Sequence, residues 1–127
     1  GTPRSPEDLK SHEFLVYDLG GGTAIRMQDE QGNERVIHAS GRMLANKGDV
    51  LRDMALAGHG VVMLPTFIVW HSLATGELVP LLENYTPPRL HAWAVYPQTR
   101  YLSRRARLFI DFLVDRFGDD PYWDNQQ

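Results

Sequence analysis

The sequence predicts an α/β fold in which a mixed, partly parallel sheet is flanked by helices. Two features of residues 46–65, which read NKGDVLRDMALAGHGVVMLP, lead to this prediction. Apolar side chains first recur every three or four positions, as in an amphipathic helix. They then form an unbroken apolar run up to Pro65, which is typical of a strand covered on both faces. A helix followed directly by a buried strand indicates parallel strands joined by a crossover.

The elements before that stretch are short. Ser5, Pro6 and Asp8 form a helix-start signature that predicts a short helix over 6–11. Residues 14–17 (FLVY) predict a strand that runs into a glycine-rich loop at 18–22. This loop lacks the Lys-Ser/Thr pair and the glycine spacing of nucleotide-binding motifs, so we interpret it as an adaptable loop at the edge of a cleft.

Residues 23–45 are predicted to be strands. Polar and apolar residues alternate crudely around the tip DEQGN, which predicts a β-hairpin whose strands continue at 36–39 and 42–45. Asn46 is expected to cap the helix that follows, and Gly58 to end it. Strand 42–45, this helix and the strand 61–64 then form a βαβ unit.

A second helix and two further strands are expected next. Thr66 is expected to cap a helix that ends at Gly76 and turns Phe67 inward. Residues 77–82 predict an edge strand, because a proline interrupts them. Residues 90–96 alternate between apolar and polar side chains and predict another strand.

The last helix, predicted over 104–117 with Ser103 as its cap, has more apolar surface than one neighbour can cover. Seven large apolar side chains surround one narrow polar stripe, and exposing them to water is unfavourable. We therefore expect either a second copy of the chain to cover this helix or the helix to be displaced. A cluster of arginines at its start is interpreted as a solvated helix face.

Composition excludes several classes of function. The 127 residues suffice for one core, and the formal net charge of −3 gives no basic surface for nucleic acid. The chain has no cysteine, which is compatible with a cytoplasmic location, and no apolar run long enough to cross a membrane. No export signal is recognised at its start.

Catalytic patterns are missing as well. The five histidines have no metal-ligand spacing, no serine lies in a nucleophile-elbow motif, and no carboxylate has a marked partner. We therefore predict a protein that is not an enzyme and has neither a metal nor a cofactor.

The order of motifs is similar to a known family. The motifs that carry this similarity are, in chain order, PRSPEDLKSHEFLVY, GRMLANKGDVLRDMALAGHGVVMLP, LATGELVPLLENY and LHAWAVYPQTRYLSRRARLFIDFLVDRF. The most specific part of this similarity consists of Asn46, the run AGHG at 57–60 and Leu64-Pro65. The sequence resembles the effector-binding domain of the LysR-type bacterial transcriptional regulators.

The resemblance implies a periplasmic-binding-protein type II fold, with two α/β lobes joined by crossover strands. Within it, 1–11 is a linker with a short helix, 12–97 the second lobe, 98–118 a crossover plus a helix that belongs to the first lobe, and 119–127 a tail. The resemblance implies that the first half of the first lobe and the N-terminal helix-turn-helix that reads DNA are absent from these residues. The implied protein is a cytoplasmic homodimer or higher oligomer.

The implied ligand is a small organic or aromatic acid bound between the lobes. Loops at the ends of parallel strands, and the free N–H groups where a helix starts, suit a carboxylate. The candidate contacts are Leu19, Gly20, Gly21, Asn46, Lys47, Gly48, Thr66, Pro97 and Gln98. For Asn46 and Thr66, helix capping alone is a competing explanation. Two other functions stay open: a solute-binding transport protein, and an oligomerisation module without a ligand.

Overall fold

The computed structural model describes residues 1–18, 23–38, 40–97, 102–118 and 121–124. The chain starts with a 3-10 helix, Pro6–Ser11. The strands are β1 Phe14–Tyr17, β2 Ala24–Gln28, β3 Glu34–His38, β4 Met43–Ala45 and β5 Val61–Val62. The helices are α1 Gly48–Leu56, α2 Thr66–Ala74 and α3 Arg104–Phe117.

Three strands form a parallel sheet in the order β4-β1-β5. Val16 of β1 lies opposite Leu44 of β4, and Phe14 lies opposite Val61 of β5. The parallel pairing predicted from residues 46–65 is therefore confirmed, with β1 placed between the two strands that α1 connects. The β-hairpin is also confirmed: β2 and β3 pair antiparallel, with Arg26 opposite Val36.

The core lies on both faces of β1. Phe14 and Val16 pack with Leu9 of the 3-10 helix and with Ile25 and Ile37 of the hairpin. Leu15, which is 2% exposed, points to the opposite face of the sheet, the face on which α1 places Leu51, with no exposed surface. A four-residue strand covered on two sides explains why FLVY shows no polar alternation.

Capping differs from the prediction at two of the three α-helices. Lys47, not Asn46, occupies the N-cap of α1, and Pro65, not Thr66, occupies that of α2. Neither helix start receives a side-chain capping bond. Helix α1 begins one residue later than the sequence pattern predicts, and α2 begins one residue earlier. At α3 the prediction is confirmed, since the Ser103 hydroxyl accepts from the Ala106 N–H at 3.2 Å.

Two predicted strands are not formed in the described part of the chain. Residues 77 and 78 form bends, and 79–82 and 90–96 have no regular secondary structure. Trp93 is 81% exposed and Val95 is 92% exposed, so these residues lie against neither a sheet nor a core. The strand predicted from the alternation in 90–96 is therefore wrong, because a strand needs a neighbouring strand to bond with.

Helix α3 exposes the apolar surface that its sequence predicts. None of its residues is buried, and Phe109 and Val114 are 61% and 63% exposed. Its last turn meets a neighbouring aromatic cluster, through Phe117 against Trp123, with ring centroids 5.5 Å apart. Phe67 of α2 was expected to face inward, but its side chain is 55% exposed and reaches the same tryptophan at 6.5 Å.

Candidate functional site

The candidate site lies at the carboxyl ends of β1 and β4. The two strands finish side by side, and the Asp18 N–H after β1 donates to the Ala45 carbonyl at the end of β4 at 2.9 Å. An open hollow of about 260 Å³ forms there, lined by Asp18, Leu44, Ala45 and Asn46. Parallel α/β sheets bind their ligands at this edge, because loops diverge there and leave a crevice.

Helix α1 starts next to this hollow. Asn46 lines it, and Lys47, whose side chain is exposed, follows immediately as the N-cap residue. The first N–H groups of a helix have no partner within the helix, and they carry the positive end of its dipole. An ammonium group beside a helix start can therefore hold a carboxylate placed in or above the hollow.

Gly48 has a packing role as well as a place at the helix start. It is buried, and a Cβ atom at this position would lie 2.5 Å from Ile68 Cδ1 of α2. The glycine allows α1 and α2 to approach closely behind the sheet edge. Packing is thus sufficient to explain this residue without a ligand contact.

The side chain of Thr66 is hydrogen-bonded to the tail of the chain. It is the first residue of α2, and its hydroxyl donates to the Asp124 carboxylate at 2.5 Å. Tyr122 and Trp123 precede Asp124 and pack edge-on against Trp70 and Phe67 of the same helix. The structure therefore places Thr66 in a contact between α2 and the tail.

The other predicted site residues divide into two groups. Pro97 is exposed at the end of the unpaired segment and contributes nothing to the hollow. Residues Leu19, Gly20, Gly21 and Gln98 lie outside the described residues. The hollow instead includes Asp18, Leu44 and Ala45, which the sequence prediction left out. Their position at the ends of two predicted strands was the signal that could have identified them.

Electrostatics around the hollow are simple. Hydrogen bonds displace the pKa of Asp8, His12 and Asp29, and all three lie on the 3-10 helix or at the hairpin rather than in the hollow. Over the ranges that the structure describes, no three His, Asp or Glu side chains come together in a way that could hold a metal ion. Within the same ranges, no helix is long and apolar enough to span a membrane.

A second hollow, of about 380 Å³, lies at the opposite edge of the sheet. Its floor is apolar, with Leu15, Met43 and Met54, and its rim carries Glu13 and Arg42. Glu13 already accepts from the Arg42 backbone N–H at 2.6 Å and pairs with its guanidinium at 3.5 Å. Because these charges compensate each other, this hollow is the weaker candidate for an anionic ligand.

The fold and the hollow define an α/β domain of the kind that holds ligands at a sheet edge. Residues 1–118 match the family model of the LysR substrate binding domain, and the chain belongs to that family. The resemblance noted from the motifs is thereby confirmed.

Relatives of known name support the same assignment. The chain is 37% identical over 122 residues to the HTH-type transcriptional regulator CrgA of Neisseria meningitidis, covering 94% of this chain and 40% of that protein. It is 35% identical over 122 residues to the HTH-type transcriptional regulator PtxR of Pseudomonas aeruginosa, covering 92% and 39% respectively. The chain thus spans about two fifths of the length of these regulators.

Solved structures show the same fold. CrgA from Neisseria meningitidis superposes with a TM-score of 0.73 at 36% identity, over 94% of this chain and 40% of that one. The regulatory domain of AphB from Vibrio vulnificus superposes with a TM-score of 0.70 at 25% identity, over 90% and 56%. The predicted α/β lobe of the periplasmic-binding-protein type is confirmed by this likeness to LysR regulatory domains.

Proposed function

We propose that this chain is the ligand-sensing part of a cytoplasmic LysR-type transcriptional regulator, and that it binds a small organic or aromatic acid at the carboxyl edge of its parallel sheet. The observation that carries the proposal is the hollow lined by Asn46, with the start of α1 and its exposed N-cap residue Lys47 following directly in the chain. Backbone N–H groups and one ammonium suit a carboxylate. The apolar side chain of Leu44 can contact the apolar part of the ligand.

Signalling needs no chemistry in this proposal, and therefore neither a catalytic residue nor a cofactor. A ligand that binds one arrangement of two lobes more tightly than another shifts the population toward that arrangement. In the longer protein, residues 12–97 form one lobe, 98–118 return to the other lobe, and DNA is bound by a helix-turn-helix outside this chain. The named regulators among the relatives favour this function over solute transport.

A second function, assembly without a ligand, is favoured by one observation. Helix α3 exposes Phe109, Phe112 and Val114, and an apolar face of this size is normally covered. In our proposal the missing lobe or a second copy covers it, and the regulator is a homodimer or a higher oligomer. A protein that assembles but binds no acid would support this second function instead.

The test is a thermal-shift screen of aromatic and dicarboxylic acids on the full-length regulator. For any acid that raises the melting temperature, its affinity is then measured for Lys47→Gln and for Lys10→Gln. Lys47 and Lys10 are the chain's two lysines, and Lys10 lies exposed on the 3-10 helix, away from the hollow. Loss of a charged hydrogen bond predicts a drop of roughly tenfold to a hundredfold for Lys47→Gln alone.

Two outcomes would contradict the proposal. One is a full screen in which no acid stabilises the protein. The other is an acid whose affinity is the same in the Lys47→Gln and Lys10→Gln variants, since the ligand would then bind elsewhere.

A further inference from the structure

The imidazole of His12 faces two hydrogen-bond acceptors. Its Nδ1 lies 2.9 Å from the carbonyl oxygen of Asp8, and its Nε2 lies 2.7 Å from the carbonyl oxygen of Gly1. Carbonyl oxygens only accept hydrogen bonds, so each ring nitrogen needs a proton to bond here. A neutral imidazole carries one such proton, whereas an imidazolium carries two. The geometry therefore fits the charged form of His12.

The Ser11 hydroxyl cannot supply the hydrogen bond that a neutral His12 ring lacks. The Ser11 Oγ lies 3.3 Å from Nδ1 of His12, but this hydroxyl donates to the Asp8 carbonyl at 2.7 Å. Its single proton is thus already used. A neutral His12 would turn one lone pair toward a carbonyl oxygen at hydrogen-bond distance, which is repulsive, and one of the two contacts must then open.

The two hydrogen bonds of His12 constrain different parts of the chain. The bond to Asp8 closes the end of the 3-10 helix, four residues back in the chain. The bond to Gly1 spans eleven positions and fastens the first residues onto that helix. Residues 4 and 5 are held separately, because the Asp8 carboxylate accepts from the Arg4 and Ser5 N–H groups at 2.9 and 3.0 Å. Pro3 is buried and is therefore held by packing. Loss of the longer-range bond would free residues 1 and 2 and leave the helix in place.

We propose that His12 is a proton-operated latch, whose imidazolium form fastens residues 1 and 2 to the 3-10 helix and whose neutral form lets them go. Because residues 1–11 are also the proposed linker into the lobe, the latch makes the path of this linker depend on pH. The latch itself does not require the ligand proposed above, so its failure and the failure of ligand binding are separate results.

The charges around His12 set the pH at which the latch opens. The carbonyl of Gly1 and then that of Asp8 raise the pKa of His12, and the Asp8 carboxylate adds to this. Desolvation acts in the opposite direction, as does a terminal amino group in a sample that begins at Gly1. Strand β3, which packs against the 3-10 helix, carries Glu34, Arg35 and His38. The latch is closed below the ordinary histidine pKa of about 6.5 and opens as the pH rises through the raised value.

Nuclear magnetic resonance of the whole protein tests the latch. The ring signals of His12, the carbonyl carbon of Gly1 and the amide of Thr2 are followed from about pH 5 to about pH 9, a range that spans histidine titration. In a sample that begins at Gly1, acetylation of its amino group removes the titration of that group from these signals. We expect Gly1 and Thr2 to titrate with the midpoint of His12, and this midpoint to lie above the ordinary histidine value of about 6.5.

Matched substitutions separate the latch from general effects of pH. His12→Gln cannot be protonated and should abolish the titration of the Gly1 and Thr2 signals, whereas His59→Gln should leave it intact. The proposal is overturned if Gly1 and Thr2 do not follow His12 in the unsubstituted protein. It is equally overturned if their titration persists in His12→Gln. The first criterion needs no variant, so it holds even if His12→Gln folds poorly.

Discussion

Gly60 lies directly against the backbone carbonyl of Glu13, where β5 joins the sheet. The Val61 N–H donates to that carbonyl at 2.9 Å, and a Cβ atom at Gly60 would overlap with the same oxygen. Gly60 also has a φ of 158°, which side chains on L-residues rarely permit. The glycine therefore lets the chain pass from the end of α1 at Leu56 to its pairing with β1 at Val61 across four residues.

Gly60→Ala is expected to lower the free energy of unfolding by about 2 to 4 kcal/mol, because a backbone overlap adds to the cost of the conformation. Gly58→Ala is the control, since Gly58 has a φ of 78° but open space around its Cα. It should lose only about 1 to 2 kcal/mol, the conformational cost alone. Urea denaturation measures both. Equal losses would mean that the contact with Glu13 does not constrain β5.

Elements specified by neighbouring residues were predicted closely from the sequence. The 3-10 helix has the predicted bounds because Ser5 and Asp8 bond to each other's backbone within one turn. Helix α3 starts at Arg104 because Ser103 caps it. The strand 14–17 was found because its residues are apolar without interruption.

Elements that depend on distant partners were not predicted correctly. The segments 77–82 and 90–96 have strand-like composition, yet a strand forms only where another strand supplies backbone partners. The same limit applies to the site. The sequence placed Asn46 near a helix start, but it did not show that Thr66 would be held by Asp124, 58 positions later. Such contacts follow from tertiary packing, which local patterns do not encode.

Truncation of the core and of α3 should have very different effects. Leu51→Ala removes a side chain with no exposed surface between α1 and β1, and it should cost about 2 to 5 kcal/mol. Phe112→Ala removes a larger side chain that is 59% exposed, and it should change stability by less than about 0.5 kcal/mol. Chemical denaturation at low protein concentration measures both. A loss of several kcal/mol for Phe112→Ala would show that α3 is covered in solution.

The hairpin tip should lose stability in acid. The Asp29 carboxylate accepts from the Asn33 side chain at 3.0 Å and from the Asn33 and Gln31 N–H groups at 2.8 and 3.0 Å. These bonds, the Asn33 side chain first, lower the pKa of Asp29. A lowered pKa stabilises the fold above the ordinary value of about 3.9, and this contribution disappears as the pH falls through the folded-state value.

Asp29→Asn should therefore be less stable than the unsubstituted protein at neutral pH and nearly equal to it in strong acid. Thermal unfolding at a series of pH values measures the difference. Glu30→Gln serves as the control, because Glu30 is exposed in the same turn and its substitution removes an equal charge. If Glu30→Gln shows the same dependence on pH, general charge repulsion rather than the bonds of Asp29 is responsible.

The tail should hold α3 to α2 chiefly through Trp123. Its ring meets Phe67 of α2 at 6.5 Å and Phe117 of α3 at 5.5 Å, both edge-on, so one side chain connects the two helices. Aromatic pairs of this kind contribute about 0.5 to 1.5 kcal/mol each. Trp123→Ala should therefore increase amide exchange throughout the last turn of α3, with no change in β1. Trp93→Ala removes an equally large ring that is 81% exposed and contacts His91, and it should leave the exchange of α3 unaltered. Equal exchange of α3 in the two variants would mean that its position is set by something other than this ring.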